Sequence, residues 1–564
     1  MGHGHDHHHH THEPADLPPV LDSSIPDEAL PPADVSRRNL LRGAGVLGAG
    51  AAAAGVLGAP AVAAAAQRAT SRSPRGGRGD YLWLAGDHHI HTQYSSDGYY
   101  RVIDHVRHAN AYGLDWMVIT DHGSNEHAKI GVDKVNPDIV AARKAIEDTL
   151  VFQGLEWNIP AAEHGTVFVH PGKNEVAVLK EFENSFDGSV KGATAPTAAN
   201  EALAIAGVNF LAKAIDKRRV QDALFLANHP ARKGLDTPHE IRGWRDAQPR
   251  IAVGFEGAPG HQAAGIPKPH GPGSARGFYE NSAGPESWAA YPPESYRTFG
   301  GFDWMTATVG GLWDSLLAEG KAWWITANSD SHAVYADTAA RGPNSNFPVN
   351  GRYDDPVYSG DLALTAGDFW PGYYSRTHVG AESFSYAAVM DAIRAGRVWV
   401  DHGNLVKSLD VRVRESNGST RGVTLGDTLH VRRGAKVQLV IEIELPGGPN
   451  WAQFAPSLAR VDVIQGDVTG KASDKDAFVA PKTKVVKSFE VGKNTGTVKL
   501  TYSLGEIDKP VYVRLRGTDG NRVGPGPRGA AVDPNGPLID VVGDADPWKD
   551  LWFYTNPIWV LPGR

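Results

Sequence analysis

The chain has 564 residues, with 56 Lys and Arg against 64 Asp and Glu, 24 His and no Cys. At roughly 100–200 residues per domain this allows about three domains, or one large barrel with a smaller partner, and 41% hydrophobic residues with 15 Trp exclude global disorder. A net charge of −8 argues against general nucleic-acid binding, and the missing cysteine excludes disulfides, thiolate-held zinc, iron–sulfur clusters, thiol nucleophiles and lipidated cysteine.

Residues 1–35 are rich in His, Pro and Asp and lack periodicity. Seven histidines fall in the run His3 to His12; a disordered leader is the expectation, with a vector tag or a metal-scavenging tail as alternatives. Ser36-Arg37-Arg38-Asn39-Leu40-Leu41-Arg42 precedes 24 uncharged residues, Gly43 to Ala66, of which 12 are Ala and six Gly. That stretch is too weakly apolar for a stable membrane anchor and reads as a signal peptide over 36–66. The paired arginines look like a twin-arginine (Tat) export signal, with cleavage expected near Ala66. The expectation is a secreted, periplasmic or cell-envelope protein. Residues 67–79 form a Ser/Arg/Gly linker.

From 80 to 405 short apolar runs alternate with helical patterns. The runs are Tyr81–His88, Trp116–Thr120, Leu150–Leu155, Thr166–Val169, Ala223–Ala227, Ile251–Phe255 and Ala322–Thr326. The helical patterns are Val102–Tyr112, Asp138–Asp148, Ala198–Asp216, Gly311–Leu317 and Tyr386–Ala395. Such alternation predicts an α/β fold with a parallel sheet, and seven runs suit a barrel. Residues 258–300 and 336–377 read as long loops near its mouth.

Candidate metal donors gather where these runs end. Asp87-His88-His89-Ile90-His91 sets His89 and His91 on one face of an extended chain, and Asp97-Gly98 follows. Asp121-His122 closes the second run, and Glu156 closes the third with His164 eight residues on. Asn228-His229-Pro230 closes another, and Ser329-Asp330-Ser331-His332 the last. Strand ends are where parallel α/β barrels assemble active sites, and these nitrogen and oxygen donors suit zinc, manganese or iron. Asp97 has a turn-forming alternative, His164 competes with His170, Glu256 is expected to face a ligand or the substrate, and Asp87 and Asp121 to orient imidazoles. His88 points to the opposite face.

From 406 to 564 the pattern changes to period two. Leu409–Arg414, Ala435–Leu445, Ala459–Ile464, Thr483–Val491, Thr497–Leu504 and Val511–Arg516 read as strands of an all-β sandwich. The aromatic segment Trp548–Val560 is expected to pack back between the two parts. The sandwich either contacts a glycan or cell-wall surface or covers the barrel; covering is the expectation.

The ordered motifs H-x-H-x5-D-G, T-D-H, G-x-E, H, N-H-P and S-D-S-H over residues 81–400 resemble the PHP (polymerase and histidinol phosphatase) family. The resemblance implies a distorted seven-stranded (βα)7 TIM-like barrel with two or three divalent metal ions (Zn, Mn or Fe) that hydrolyses phosphomonoesters or phosphodiesters by metal-activated hydroxide. Carried over by position, the implied ligands are His89, His91, Asp97, His122, Glu156, His164, His229, Asp330 and His332. The expected grouping is His89, His91, Glu156 and Asp330 at one ion, Glu156, His164 and His229 at a second, and Asp97, His122 and His332 at a third. His332, Asp121 or Tyr374 would serve as general acid, and Arg232 and Arg376 offer guanidinium forks for phosphate. Two alternatives stand beside this reading: a carbamate or carboxylic ester hydrolase of the carbaryl-hydrolase type using the same centre, and a non-catalytic cell-envelope binding protein. The expected partner is a small phosphoester or ester, with no nucleic acid beyond a substrate and no stable membrane anchor.

Overall fold

A computed structural model describes residues 81–563 apart from Ser419. The expected leader, export signal and linker all lie outside the described residues. In chain order the first part holds β1 (Leu82–Asp87), α1 (Val102–Ala111), β2 (Trp116–Ile119), α2 (His127–Ala145), β3 (Leu150–Asn158), β4 (His164–Val169), α3 (Glu175–Phe186), α4 (Ala198–Asp216), β5 (Ala223–Ala227), α5 (Pro238–Ala247), β6 (Ala252–Ala258), α6 (Leu312–Leu317), β7 (Trp324–Ala327), β8 (Ser375–Ala381), α7 (Tyr386–Arg394) and β9 (Val398–His402). The strands read as unbroken apolar runs because both faces are covered, as in WMVI of β2 and ALFLA of β5, where every residue is buried.

The expected parallel sheet is present in part. Strands β1, β2 and β3 run parallel, as do β5, β6 and β7, but β4 lies antiparallel to both β3 and β5. The reason is the short β3–β4 connection, only five residues from Asn158 to His164, which forces a hairpin rather than a crossover. Beyond β1 the sheet continues through β8 and β9, both antiparallel. It also curls back on itself. Ile90 after β1 bridges Ser331 after β7, and the Thr377 hydroxyl on β8 donates to the Ala327 carbonyl of β7 at 2.6 Å and accepts from the Ala327 amide at 2.8 Å.

Two helices went unanticipated, α3 and α5, although α5 carries a complete start signal: Thr237 caps it, Pro238 opens it and Glu240 closes a capping box. The helix expected at 138–148 begins at His127 and runs through Pro137, so that proline sits inside the helix rather than before it. Strands β8 and β9 also lie outside the expected elements, and the first three residues of β8, Ser375 to Thr377, fall in a stretch read as loop.

The later part is all β: β10 (Ser408–Glu415), β11 (Thr428–Val431), β12 (Ala435–Glu444), β13 (Leu458–Asp467), β14 (Lys484–Lys493), β15 (Thr497–Ile507), β16 (Val511–Thr518), β17 (Trp552–Thr555) and β18 (Ile558–Pro562). Along β12, Val437, Leu439, Ile441 and Ile443 are buried while their neighbours are not, the alternation of a sheet with one wet face. Strands β10, β12 and β15 form a separate antiparallel sheet. The aromatic C-terminal segment is the connector: β17 pairs with β9 on one side and β16 on the other, so one hydrogen-bonded sheet runs from the metal-donor strands into the β-rich part. A buried ion pair crosses the same junction. Arg514 of β16 donates to both oxygens of Asp314 in α6 at 2.8 and 2.7 Å, with neither side chain exposed. The protein is thus a mixed α/β molecule with one large sheet and further smaller β-sheets. Among the described residues no helix is long and apolar enough to cross a membrane.

Candidate metal centre

All nine expected donors converge at the strand ends on one side of the sheet. His89 and His91 follow β1, His122 follows β2, Glu156 lies near the end of β3, His229 follows β5, and Asp330 and His332 follow β7. His164 opens β4 rather than ending a strand. It reaches the same rim because β4 runs antiparallel to β3, with Asn158 facing His164 in register.

Glu156 is the hub. Its Oε1 lies 3.0 Å from His89 Nε2 and 3.2 Å from both His164 Nδ1 and His229 Nε2, and its Oε2 lies 2.8 Å from His122 Nδ1 and 3.4 Å from His91 Nε2. Asp330 Oδ1 stands 3.1 Å from His89 Nε2 and 3.2 Å from His91 Nε2. Asp97, the most exposed donor, faces His122 Nε2 at 3.0 Å and His332 Nε2 at 3.5 Å. Donor atoms within 4.8 Å of one another include His89, His91 and Asp330; His122, Glu156 and His164; and His91, Asp97, His122 and His332.

The donors fit divalent cations by their chemistry and by what they lack. His164 Nδ1, His229 Nδ1 and Asp330 Oδ1 are buried atoms with no hydrogen-bond partner, which is costly unless a cation takes them up. Electrostatics point the same way. Burial opposes charge on His89, yet Asp330, Glu156 and Glu256 hold its pKa well above the ordinary histidine value. Burial opposes charge on Glu156 too, and His89, His164 and His122 hold its carboxyl well below the usual range. Burial, then His332 and His122, push His91 well down. The pocket is built for more positive charge than its imidazoles carry comfortably.

The supporting residues sharpen the expectations. Glu256 accepts from His89 Nδ1 at 2.7 Å and from the His229 amide at 2.6 Å, fixing one ring and one backbone turn. Asp87 and Asp121 were expected to orient imidazoles; they hold backbone instead. Asp87 accepts the amides of His89 and Ser329, both at 3.0 Å, and Asp121 accepts the Thr92 amide at 2.6 Å and its hydroxyl. Asp121 does not line the cleft. His88 bridges Thr166 and Thr326 at 3.2 and 2.7 Å, and His170 bonds the Pro171 carbonyl away from the cluster.

Of the two arginines, Arg232 lines the cleft but is engaged by Glu163. Arg376 does not line it. On β8 its neighbour Thr377 points inward to Ala327, so Arg376 points to the other face, where it donates to the Gly372 carbonyl at 3.1 Å. Tyr374 is also remote: its hydroxyl donates to the Pro547 carbonyl and accepts from Arg276.

Two site residues escaped sequence reasoning. Glu163 Oε1 lies 3.5 Å from His229 Nδ1 and also receives Arg232 and Lys233; burial opposes its charge, but Arg232 and the histidines keep it ionised well below the usual range. His261 places Nε2 2.8 Å from Asp330 Oδ2 while its Nδ1 meets Asp368, whose other oxygen accepts the amides of His332 and Ala333 at 2.6 and 2.9 Å. Gly260 permits this approach, since a Cβ there would fall 2.1 Å from Asp330 Cβ. Glu163 adjoins a recognised histidine, a weak signal; His261 sits in a Gly/Pro-rich loop with no strand-end pattern to mark it.

Comparison with known proteins gives one family match and several similar solved structures. Residues 87–204 match the profile of the PHP domain. Six of the nine donors lie in that span, and His229, Asp330 and His332 reach the cluster from outside it. Among solved structures, a two-domain Bacteroides vulgatus protein containing a predicted PHP-like metal-dependent phosphoesterase aligns at 16% identity over 78% of this chain and 92% of its own, with a TM-score of 0.29. An amidohydrolase from Chromobacterium violaceum with bound sulfate aligns at 17% identity over 31% of this chain and 76% of its own, with a TM-score of 0.18. No curated protein matches the chain. The first six donors thus lie in the segment that matches the PHP domain.

Proposed function

We propose that the protein is a secreted metal-dependent hydrolase of phosphoester bonds. The observation that carries the reading is Glu156 set among five imidazoles at the strand ends of a PHP domain, with buried donor atoms left without hydrogen-bond partners. His89, His91 and Asp330 would hold one ion, Glu156, His164 and His229 a second, and Asp97, His122 and His332 a third. Bound divalent ions, such as zinc, manganese or iron, supply Lewis acidity toward water and the phosphoryl group. The chain's own contributions are positional. Glu256 and Asp87 fix the turns bearing His89, His229 and Asp330. Arg232, held by Glu163 at the cleft wall, presents positive charge near the oxygens of an entering phosphoryl group.

The finer architecture belongs to the same reading. The curled sheet would be a distorted (βα)7-type barrel over 80–405, and the β-rich part over 406–564 a sandwich that covers it. The N-terminal Arg-Arg motif would direct Tat export, with a small phosphoester or ester as the substrate. Assays with p-nitrophenyl phosphate, bis-p-nitrophenyl phosphate and p-nitrophenyl acetate on the metal-loaded protein test the activity. Phosphoester turnover lost on chelation is expected; acetate turnover alone would replace the reading with an ester hydrolase.

A further inference from the structure

We infer that the leaving group of the natural substrate is uncharged and apolar, an aryl or alkyl group; this rests on the phosphoester reading above. The cleft over the donor cluster has a volume of about 530 Å³, room for an organic group beside a phosphoryl group. The lining joins the carboxylate and imidazole cluster already described to an apolar wall of Tyr99, Phe278, Ala333, Ala363, Ala366 and Gly367. Thr365 adds a hydroxyl to that wall. Among the described residues that line the cleft, Arg232 is the single Arg or Lys, held by Glu163 and assigned above to the transferred phosphoryl group, which leaves none for a second anion. Arg341 stacks on the Tyr99 and Tyr353 rings and donates to the Ser96 carbonyl, outside the lining. A second phosphate or a carboxylate on the leaving group would therefore meet no unpaired cation there, while facing Asp97 and Asp368.

Phe278 makes the wall more than a collection of small residues. It sits at φ +53° directly after Gly277 at φ +75°, a conformation costly for a phenylalanine, and remains 38% exposed. Its ring packs 4.9 Å from the His261 ring, and a Cβ at Gly367 would fall 2.3 Å from its Cζ. The backbone is bent to place an aromatic face beside the metal donors. On the loop that supplies Ala363 to Asp368, Leu362 and Leu364 are also exposed, by 59% and 38%. In the reaction, the oxygen of water bonds to phosphorus, the bond from phosphorus to the ester oxygen breaks with its electron pair on that oxygen, and the alcohol or phenol departs carrying one proton of the water.

The test uses the full chain loaded with Mn2+. Phosphate release is measured from the n-butyl, n-hexyl and n-octyl phosphate monoesters and from 3-phosphoglycerate, whose leaving group carries a carboxylate. Binding of methylphosphonate and octylphosphonate is measured by calorimetry. The inference expects kcat/KM to rise about two- to fourfold per methylene, the alkyl esters to exceed 3-phosphoglycerate, and octylphosphonate to bind more tightly than methylphosphonate. Phe278→Ala should flatten the chain-length dependence in both measurements, and Phe278→Leu should restore part of it. A flat or falling series, or preference for 3-phosphoglycerate, would overturn the inference while leaving the phosphoesterase reading intact. No phosphate from any of these esters and no turnover of bis-p-nitrophenyl phosphate, with metal shown to be bound, would overturn both.

Discussion

Glu156→Gln is the sharpest perturbation of the proposed centre. The substitution keeps shape and volume but turns one acceptor oxygen into an amide NH2 and removes the negative charge. In the native geometry Oε1 faces His89, His164 and His229, and Oε2 faces His122 and His91. Whichever way the glutamine amide turns, both sets lose the anionic charge and one of them meets a donor instead of an acceptor. Losing an outer partner of a metal ligand costs about 10–100-fold in affinity, so a direct ligand should cost at least the upper end, about 100-fold or roughly 2.7 kcal/mol. The same quantity appears as stability, because an ion that binds the folded state stabilises it by RT ln(1 + [L]/Kd). At a metal concentration about 100 times the native Kd, the native protein gains about 2.7 kcal/mol per site and the variant about 0.4 kcal/mol. Plasma emission spectroscopy on purified protein, with Mn2+ calorimetry after chelation, reads both. At least one metal ion per chain should be lost, with the metal-induced rise in Tm reduced. Unchanged stoichiometry together with an unchanged Tm rise would refute the hub role of Glu156 and the centre built around it.

Replacing His89 and His91 together by Ala should abolish turnover and lower metal content without unfolding the chain, checked by circular dichroism beside metal analysis. Asp314→Ala leaves Arg514 buried and unpaired and should cost about 3–5 kcal/mol in a denaturant melt; a loss under about 1 kcal/mol would show that the junction between α6 and β16 tolerates relaxation. Asp303, buried and accepting from Ala231, Met305 and Tyr279, has its pKa raised to about 7, chiefly by burial. Because the folded state keeps a proton that the unfolded state releases near pH 4, this residue makes stability fall as pH rises from about 4 to about 7, with no further loss above that range. Asp303→Asn should flatten that stretch of the pH–Tm profile, and a profile of unchanged slope would contradict the raised pKa.

The strand cores were legible because burial on both faces writes itself as an uninterrupted apolar run, so all seven early strands lay within a few residues of their expected spans. The donors were legible for a related reason: a run that stops at Asp-His or His-x-His has an abrupt chemical edge. Direction was not. Nothing in Thr166–Val169 says that β4 opposes both neighbours; that follows from the length of the turn before it, and it is why a strand-opening histidine, His164, lands with the strand-closing ones. Facing was equally hidden. Arg232 and Arg376 looked alike as phosphate forks, and only the inward Thr377 on β8 shows that Arg376 looks the other way.

The least legible feature is also the most informative about the site. His229, His261 and Asp330 all adopt positive φ, at 29°, 52° and 45°, a region few non-Gly residues enter, though Asn, Asp and His do so more readily than most. Each is over-determined by its surroundings. Glu256 grips the His229 amide. The Asp330 carboxylate lies among His89, His91 and His261 while Asp87 holds the adjoining Ser329 amide. His261 is pinned between Asp330 and Asp368. Backbone strain persists only where neighbouring interactions offset it, and here three strained residues converge on a single carboxylate cluster. A sequence announces such a conformation when it spends a glycine on it and conceals it when it spends a histidine. The donor that motif reading missed, His261, is one of the three.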